Sequence, residues 1–174
     1  KVVYLPNPSR NFYSKKKIGK IISIGYAGNF GKVQDLDYII LIANIIKKKK
    51  YKKINFYLIG DGSERKKLLQ KLKIKKINNV FIKQRISMDK IVTFYKKMDA
   101  LIINSNLKGS EAVIIPSKLQ AYLSTSKPII SFCEGSVKQV IKNSNSGINL
   151  SNLDANMAAK KIIELTDNKK EMLK

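Results

Sequence analysis

Short apolar segments alternate with amphipathic segments along most of this chain, and this alternation constrains its fold more than any other feature. The short segments are rich in isoleucine and often end at glycine, as β-strands do, and apolar residues recur at helical spacing between them. The pattern predicts strands over 21–26, 54–59, 80–82, 100–103, 128–132 and 148–150, and helices over 35–46, 64–72, 89–97, 116–123, 136–141 and 154–165. Strands that alternate with helices pair in parallel through right-handed crossovers. The sequence therefore predicts a doubly wound α/β domain with about six parallel strands.

The length of the chain agrees with a single domain. Its 174 residues suffice for one hydrophobic core, and we expect residues 19–174 to form that domain after an entry segment over residues 1–18. The longest apolar run, residues 38–46 interrupted by Asn44, is far shorter than the ~20 residues of a membrane-spanning helix. The chain begins with Lys1, so we expect it to be a piece of a longer protein.

The scarcity of cysteine and histidine excludes several classes of site. Cys133 is the single cysteine and histidine is absent, so the chain can form neither an internal disulfide nor a histidine-dependent catalytic triad. Histidine-ligated metal centres are excluded for the same reason, and no metal site is predicted. The cysteine content is typical of a reducing, cytoplasmic setting.

The chain carries a formal net charge of +23, almost all of it from lysine. Arg10, Arg65 and Arg85 are the only arginines, although arginine is the residue that reads bases and grips phosphates in a fork. We therefore do not expect specific nucleic-acid binding to be the main function. Two interpretations stay open: a solvated surface with a lysine bias, or attraction to anionic substrates or an anionic membrane surface.

Three loops are predicted to meet where the parallel strands end, which is where such sheets bind ligands. They cover residues 28–32 (Gly-Asn-Phe-Gly-Lys), 60–63 (Gly-Asp-Gly-Ser) and 114–118 (Ile-Ile-Pro-Ser-Lys). A proline in the first turn of the fourth helix leaves the amides of Ser117, Lys118 and Leu119 free for an anion. The glycine spacing is neither that of a dinucleotide fold nor that of a Walker loop. Each loop alone could also be an ordinary turn, but two anion-receptive loops at one edge favour a diphosphate.

The order of these loops resembles a known family. The similarity rests on Tyr26 to Asp37, Leu58 to Gly62, Pro116 to Leu119, Tyr122-Leu123 and Lys127-Pro128. Together they look like the C-terminal, donor-binding half of a GT-B retaining glycosyltransferase of family 4, with a Rossmann-like fold. The nearest resemblance is to enzymes assigned as L-fucosamine (N-acetylfucosamine) transferases of bacterial surface polysaccharide (O-antigen or capsule) synthesis. Leu5-Pro6-Asn7 resembles the segment that enters this half from an N-terminal, acceptor-binding domain.

The resemblance implies a hexosyl-type, metal-independent transfer from a nucleotide sugar, in this family usually a UDP sugar, with no cofactor. It implies that the acceptor, a saccharide or a lipid-linked sugar, binds through the N-terminal domain, and that the isolated chain transfers no sugar. It also implies a cytoplasmic enzyme, with peripheral attachment to the inner face of the membrane left open. The residues expected to bind the nucleotide sugar are Gly28, Asn29, Gly31 and Lys32 at the diphosphate, Gly60 in the second loop, Lys83, Gln84, Arg85 and Ile86 at the nucleobase, and Ser117, Lys118 and Leu119 at the phosphates.

The chain departs from the family pattern at several positions. Ala121 stands where a glutamate would hold the donor ribose, and Glu111 is the one acidic candidate for the sugar end; the catalytic residues are otherwise unassigned. Asn29 and Gln34 replace a usual arginine and lysine, and Ser126 replaces a glycine. These departures keep two alternatives open, a degenerate GT-B module with an interaction or structural role and a basic membrane or nucleic-acid binder. Asp35, also usually glycine, is predicted to cap the helix that follows.

Overall fold

A six-stranded, wholly parallel sheet forms the centre of the domain in the computed structural model, which describes residues 19–49, 51, 53–168 and 172. The strand order is β3-β2-β1-β4-β5-β6, so the direction of winding reverses between β1 and β4. This confirms the predicted doubly wound, Rossmann-like fold; the entry segment over residues 1–18 lies outside the described residues. The strands are β1 (Ile22–Asn29), β2 (Ile54–Asp61), β3 (Val80–Lys83), β4 (Ala100–Ile103), β5 (Ile129–Ser131) and β6 (Gly147–Asn149).

Six α-helices cover the two faces of the sheet. They are α1 (Leu36–Lys48), α2 (Arg65–Ile74), α3 (Met88–Lys97), α4 (Ser117–Leu123), α5 (Gly135–Asn143) and α6 (Ala155–Asp167). The buried side chains of α1, α2 and α6 share one apolar cluster, and those of α3, α4 and α5 share the other. Alternate residues of the central strands point into the two clusters, as Ile102 and Ile103 do in β4.

Helix α1 shows why the apolar pattern predicted its element well. Leu36, Ile39, Ile40 and Ala43, spaced for one helical face, are all buried as predicted. The apolar spacing of α2 predicts that Leu68, Leu69 and Leu72 face inward; Leu68 is buried, but Leu69 is 38% exposed. Among the described residues, no helix is both long enough and apolar enough to cross a membrane.

The loops after β1 and β2 are shorter than predicted because both strands continue into them. Gly28 and Asn29 pair with Gly60 and Asp61 as the last two rungs of the β1–β2 ladder. Asp35 follows β1 after a short 3-10 helix and caps α1 as predicted, since its carboxylate accepts a hydrogen bond from the Tyr38 amide (3.3 Å). Its backbone is left-handed (φ 39°), a conformation that aspartate and asparagine tolerate better than other residues with a β-carbon.

The cap at Asp35 gives a direct test of this entry into α1. Asp35→Ala loses the accepting oxygen and places alanine in a left-handed conformation, so we expect the free energy of unfolding to fall by about 1–2 kcal/mol. Asp35→Asn keeps an acceptor and tolerates the same backbone, so its loss should stay below about 0.5 kcal/mol. Urea unfolding of the two variants measures both values, and equal losses would contradict the capping role.

Candidate functional site

The ends of β1 and β2 meet so closely that glycine is required at their contact. A β-carbon added to Gly60 would lie 1.8 Å from the carbonyl oxygen of Gly28 on the neighbouring strand. The Phe30 amide then donates to the Asp61 carbonyl (2.8 Å), which continues the pairing beyond the last rung. Gly60 therefore has a packing role, and its predicted contact with a nucleotide sugar stays a prediction.

The loop after β1 is folded around the side chain of Gln34. The Gln34 amide oxygen accepts from the Gly31 amide (3.2 Å) and from the side-chain nitrogen of Asn29 (3.3 Å). In this conformation the Gly31 amide hydrogen is already used, and the predicted contact of Gly31 with the diphosphate stays a prediction. Lys32 is exposed at the start of the 3-10 helix Lys32–Gln34, with its side chain at the surface of the loop.

The start of α4 differs from the prediction by one residue. Pro116 is the N-cap, and its carbonyl accepts a hydrogen bond from the Leu119 amide (2.9 Å). Leu119 therefore has no free amide for a phosphate, and its fully buried side chain is part of the core. Ser117 and Lys118 occupy the first two helical positions, whose amides find no acceptor within a helix.

Lys118 crosses from α4 to the end of β1 and brings the two predicted loops together. Its ammonium donates to the Tyr26 hydroxyl (2.7 Å) and lies 4.2 Å from the centre of the Tyr26 ring. A β-carbon at Gly28 would lie 2.4 Å from this ammonium, so the lysine occupies the space that the glycine leaves open. The sequence thus correctly predicts that Lys118 and Gly28 share one edge of the sheet.

Two buried tyrosines hold this arrangement, and the sequence analysis missed both. The Tyr26 hydroxyl donates to the Asn29 carbonyl (2.7 Å), and the Tyr122 hydroxyl accepts from the Ala27 amide (3.1 Å). Tyr26 therefore connects Lys118 to the loop after β1, and Tyr122 anchors α4 to the same strand. A usable signal existed, because a tyrosine in a buried strand or on an apolar helix face needs a partner for its hydroxyl.

The electrostatics of the site centre on an ammonium without a carboxylate. The ion pairs found among the described residues do not include Lys118. Burial lowers the pKa of Lys118 to about 8, because desolvation disfavours the charged form; a thiolate at Cys133, which forms only at high pH, acts in the opposite direction and more weakly. Burial also raises the pKa of the Cys133 thiol to about 11 and that of the Tyr26 hydroxyl well above its ordinary value, so both groups stay neutral near pH 7.

The other predicted residues are not brought into contact with Lys118 and Gly28. Arg85 is exposed and Ile86 is half-buried against the core in the loop between β3 and α3. Glu111 is exposed in the 3-10 helix Gly109–Val113. Within the part of the chain that the structure describes, no hydrogen bond or ion pair connects any of the three to Lys118, and their proposed roles stay predictions.

Two cavities, of about 580 and 570 Å³, lie apart from Lys118 and Gly28. One is lined by residues of the segment from β6 to α6, including Leu150 and Leu153, and the other lies beside the start of β5, at Pro128. Neither is lined by a residue predicted to bind the nucleotide sugar. The predicted site is thus an open edge of the sheet rather than one of these two cavities.

Comparisons with known proteins agree with this architecture. The family described as Glycosyl transferases group 1 matches residues 10–174. An uncharacterized glycosyltransferase of Methanocaldococcus jannaschii is 26% identical over 114 residues, 66% of this chain and 31% of the relative, so the chain spans about a third of that protein. The C-terminal domain of a group 1 glycosyl transferase (LpcC) of Francisella tularensis is 20% identical with a TM-score of 0.72, covering 94% of this chain and 89% of that one. The structure of S. aureus TarM with fondaparinux, α-GlcNAc-glycerol and UDP is 19% identical with a TM-score of 0.76, covering 96% and 33%.

The lowered pKa of Lys118 predicts a pH-dependent stability difference from Lys118→Met. Below about pH 8 the lysine is protonated in both states and its desolvation destabilises the folded chain, by roughly 3 kcal/mol from the shift in pKa. Between about pH 8 and 10.5 the folded chain loses this proton first, so the penalty disappears as the pH rises. We expect Lys118→Met to be more stable than the unsubstituted chain at pH 7 and the difference to shrink by pH 10.

Urea unfolding at each pH measures this difference. The control is Lys90→Met, because Lys90 is exposed in α3 and its loss should produce no comparable change with pH. If the free energies of unfolding of the unsubstituted chain and Lys118→Met change in parallel with pH, desolvation of Lys118 is contradicted.

Proposed function

The chain belongs to the group 1 glycosyl transferases, and we propose that it is the donor-binding part of a family 4 retaining enzyme that uses a UDP sugar. Its match to an isolated C-terminal domain over 89% of that domain supports assignment to one half of a larger protein. TarM, which shares this fold, was crystallised with UDP, and that supports the choice of nucleotide.

The observation that carries this proposal is the ammonium of Lys118 beside Gly28. A half-buried cation without a carboxylate is poised to pair with an anion, and it lies against Gly28, where a side chain would exclude it. The first two amides of α4, at Ser117 and Lys118, lie on the same side. The chemistry that fits is stabilisation of a leaving diphosphate as the bond to the sugar breaks.

The remaining parts of the reaction are assigned to the rest of the protein. We propose that a saccharide or lipid-linked acceptor of surface polysaccharide synthesis binds to the preceding domain, which also supplies most catalytic groups. Glu111 is the candidate from this chain for the sugar end of the donor. Transfer is proposed to be metal-independent, and the isolated chain is expected to transfer no sugar.

A second candidate function is a degenerate module that has lost donor binding. Two observations favour it: the side chain of Gln34 accepts the hydrogen bond of the Gly31 amide, and Ala121 stands where the resemblance implies a ribose-binding glutamate. Such a module would keep the fold for an interaction or structural role. Nucleotide binding decides between the two candidates.

Thermal unfolding with UDP, GDP, ADP, dTDP and NAD tests the donor site directly. A ligand at 100 times its dissociation constant adds about 2.7 kcal/mol, and each kcal/mol raises the Tm of a domain of this size by roughly 2–4 °C. We expect a shift with UDP that survives added salt and is largely lost in Lys118→Gln but kept in Lys90→Gln. UDP affinity should also decrease as the pH rises above about 8, because the free Lys118 loses its proton there.

The outcomes separate the candidates. Equal shifts with every nucleotide that vanish in salt would indicate unspecific attraction to a basic protein. The absence of any shift would favour the degenerate module.

The conformation of Gln34 supplies a further test of the same site. Gln34→Ala removes the acceptor that now satisfies the Gly31 amide, so that amide becomes free to donate to a phosphate. We expect UDP to bind several-fold more tightly, since a hydrogen bond to a charged group contributes about 1.5–3 kcal/mol before the loss of loop order is subtracted. The comparison is Gln139→Ala, an exposed glutamine on α5, which should leave UDP affinity unchanged. Unchanged or weaker binding in Gln34→Ala would remove the Gly31 amide from the site.

A further inference from the structure

The described carboxylates are distributed unevenly between the two edges of the sheet. Eight of the eleven described carboxylates lie at the carboxyl edge, in strand ends, loops and first helical turns: Asp35, Asp37, Asp61, Glu64, Asp89, Glu111, Glu134 and Asp154. The described exceptions are Asp99, which is buried, and Glu164 and Asp167 at the end of α6. Acidic side chains are therefore nearly excluded from the exposed surface of the amino edge beside β1, β2 and β3.

Exposed lysines cluster at the amino edge beside β1, β2 and β3, where exposed acidic residues are scarce. We call this surface the basic edge, and it consists of Lys20, Lys48, Lys49, Lys53, Lys73, Lys75 and Lys76, all exposed. These residues precede three adjacent strands, β1, β2 and β3, so the topology makes them one continuous surface. The Lys47 ammonium donates to the Lys76 carbonyl and connects the ends of α1 and α2. The nearest carboxylate, Asp167, accepts a hydrogen bond from the Tyr51 hydroxyl.

Two large apolar side chains stand among these lysines. Ile74, the last residue of α2, is 79% exposed between Lys73 and Lys75, and Ile21 is 55% exposed beside Lys20. The preference of cations for helix C-termini explains part of the lysine placement. It explains neither the exposed isoleucines nor Lys20 and Lys53, which precede strands rather than end helices.

We propose that the basic edge docks on the surface of an anionic lipid bilayer. Lysine ammonium groups bind negatively charged head groups through point-charge attraction, and the isoleucines enter the boundary between head groups and acyl chains. Nucleic acid fits this surface less well, because none of the seven positions is arginine and the two most exposed apolar side chains among them, Ile21 and Ile74, are aliphatic. This docking does not depend on the proposed donor site, which lies at the opposite edge of the sheet.

Vesicle co-sedimentation of the 174-residue chain tests the proposal. We expect binding to phosphatidylcholine vesicles that contain phosphatidylglycerol and none to pure phosphatidylcholine. The affinity of the variant K48Q/K49Q/K75Q/K76Q for these vesicles should fall about fivefold for each lysine removed, because each lysine near an anionic surface strengthens binding by about that factor. The matched control K66Q/K90Q/K108Q/K138Q removes four exposed lysines of other surfaces and should keep most of the binding.

Two further measurements complete the test. Ile74→Ser should bind normally at low salt and lose binding at high salt, where screening leaves the apolar contact as the main attraction. UDP should not displace the chain from vesicles, because the donor site and the basic edge face opposite ways. Equal losses in the two quadruple variants, no binding to phosphatidylglycerol vesicles, or displacement by duplex DNA at equal phosphate concentration would each overturn the proposal.

Discussion

The parallel ladder between β1 and β2 is the constraint on which the rest of this domain depends. It runs in register from Ile22 and Ile54 to Asn29 and Asp61, the longest pairing in the sheet. Because Gly28 and Gly60, each the last residue but one of its strand, place no side chain between the strands, the backbones approach closely and leave room above β1. The ammonium of Lys118 occupies that room, so the position of the candidate site follows from where the ladder ends. Helix α1, which connects β1 to the parallel strand β2, then packs on one face of the sheet and returns the chain to the amino edge.

The fold could be predicted from the sequence because its signals are local and repeated. Alternation of isoleucine-rich strands with helices such as α1 gave the strand number and the parallel pairing, and the glycines marked strand ends. The details that failed depend on tertiary packing. Leu69 fits the apolar spacing of α2 but is partly exposed, whereas Leu68 is buried. Spacing alone does not show how far around the helix the buried face extends.

The candidate site was predictable in its location but not in its hydrogen bonds. The two loops at one edge brought Gly28 and Lys118 together as expected. The sequence did not indicate that the Leu119 amide pairs with Pro116 or that Gln34 folds back onto Gly31. In both cases an amide has several polar groups nearby, and the sequence does not show which of them accepts its hydrogen bond. The sequence analysis assigned no role to the hydroxyls of Tyr26 and Tyr122, because the partner of a buried hydroxyl depends on tertiary contacts.

The two tyrosine hydroxyls have a consequence for how this domain responds to its ionic surroundings. Most of its surface interactions involve lysine and weaken as salt rises, whereas the bonds of Tyr26 and Tyr122 connect neutral oxygens to backbone groups inside the domain. Burial raises the pKa of both phenols, so they stay uncharged throughout the physiological range. The relative position of β1 and α4 therefore depends little on ionic strength, even in a chain with a net charge of +23. Association with charged partners can vary with the medium while the geometry around Lys118 stays constant.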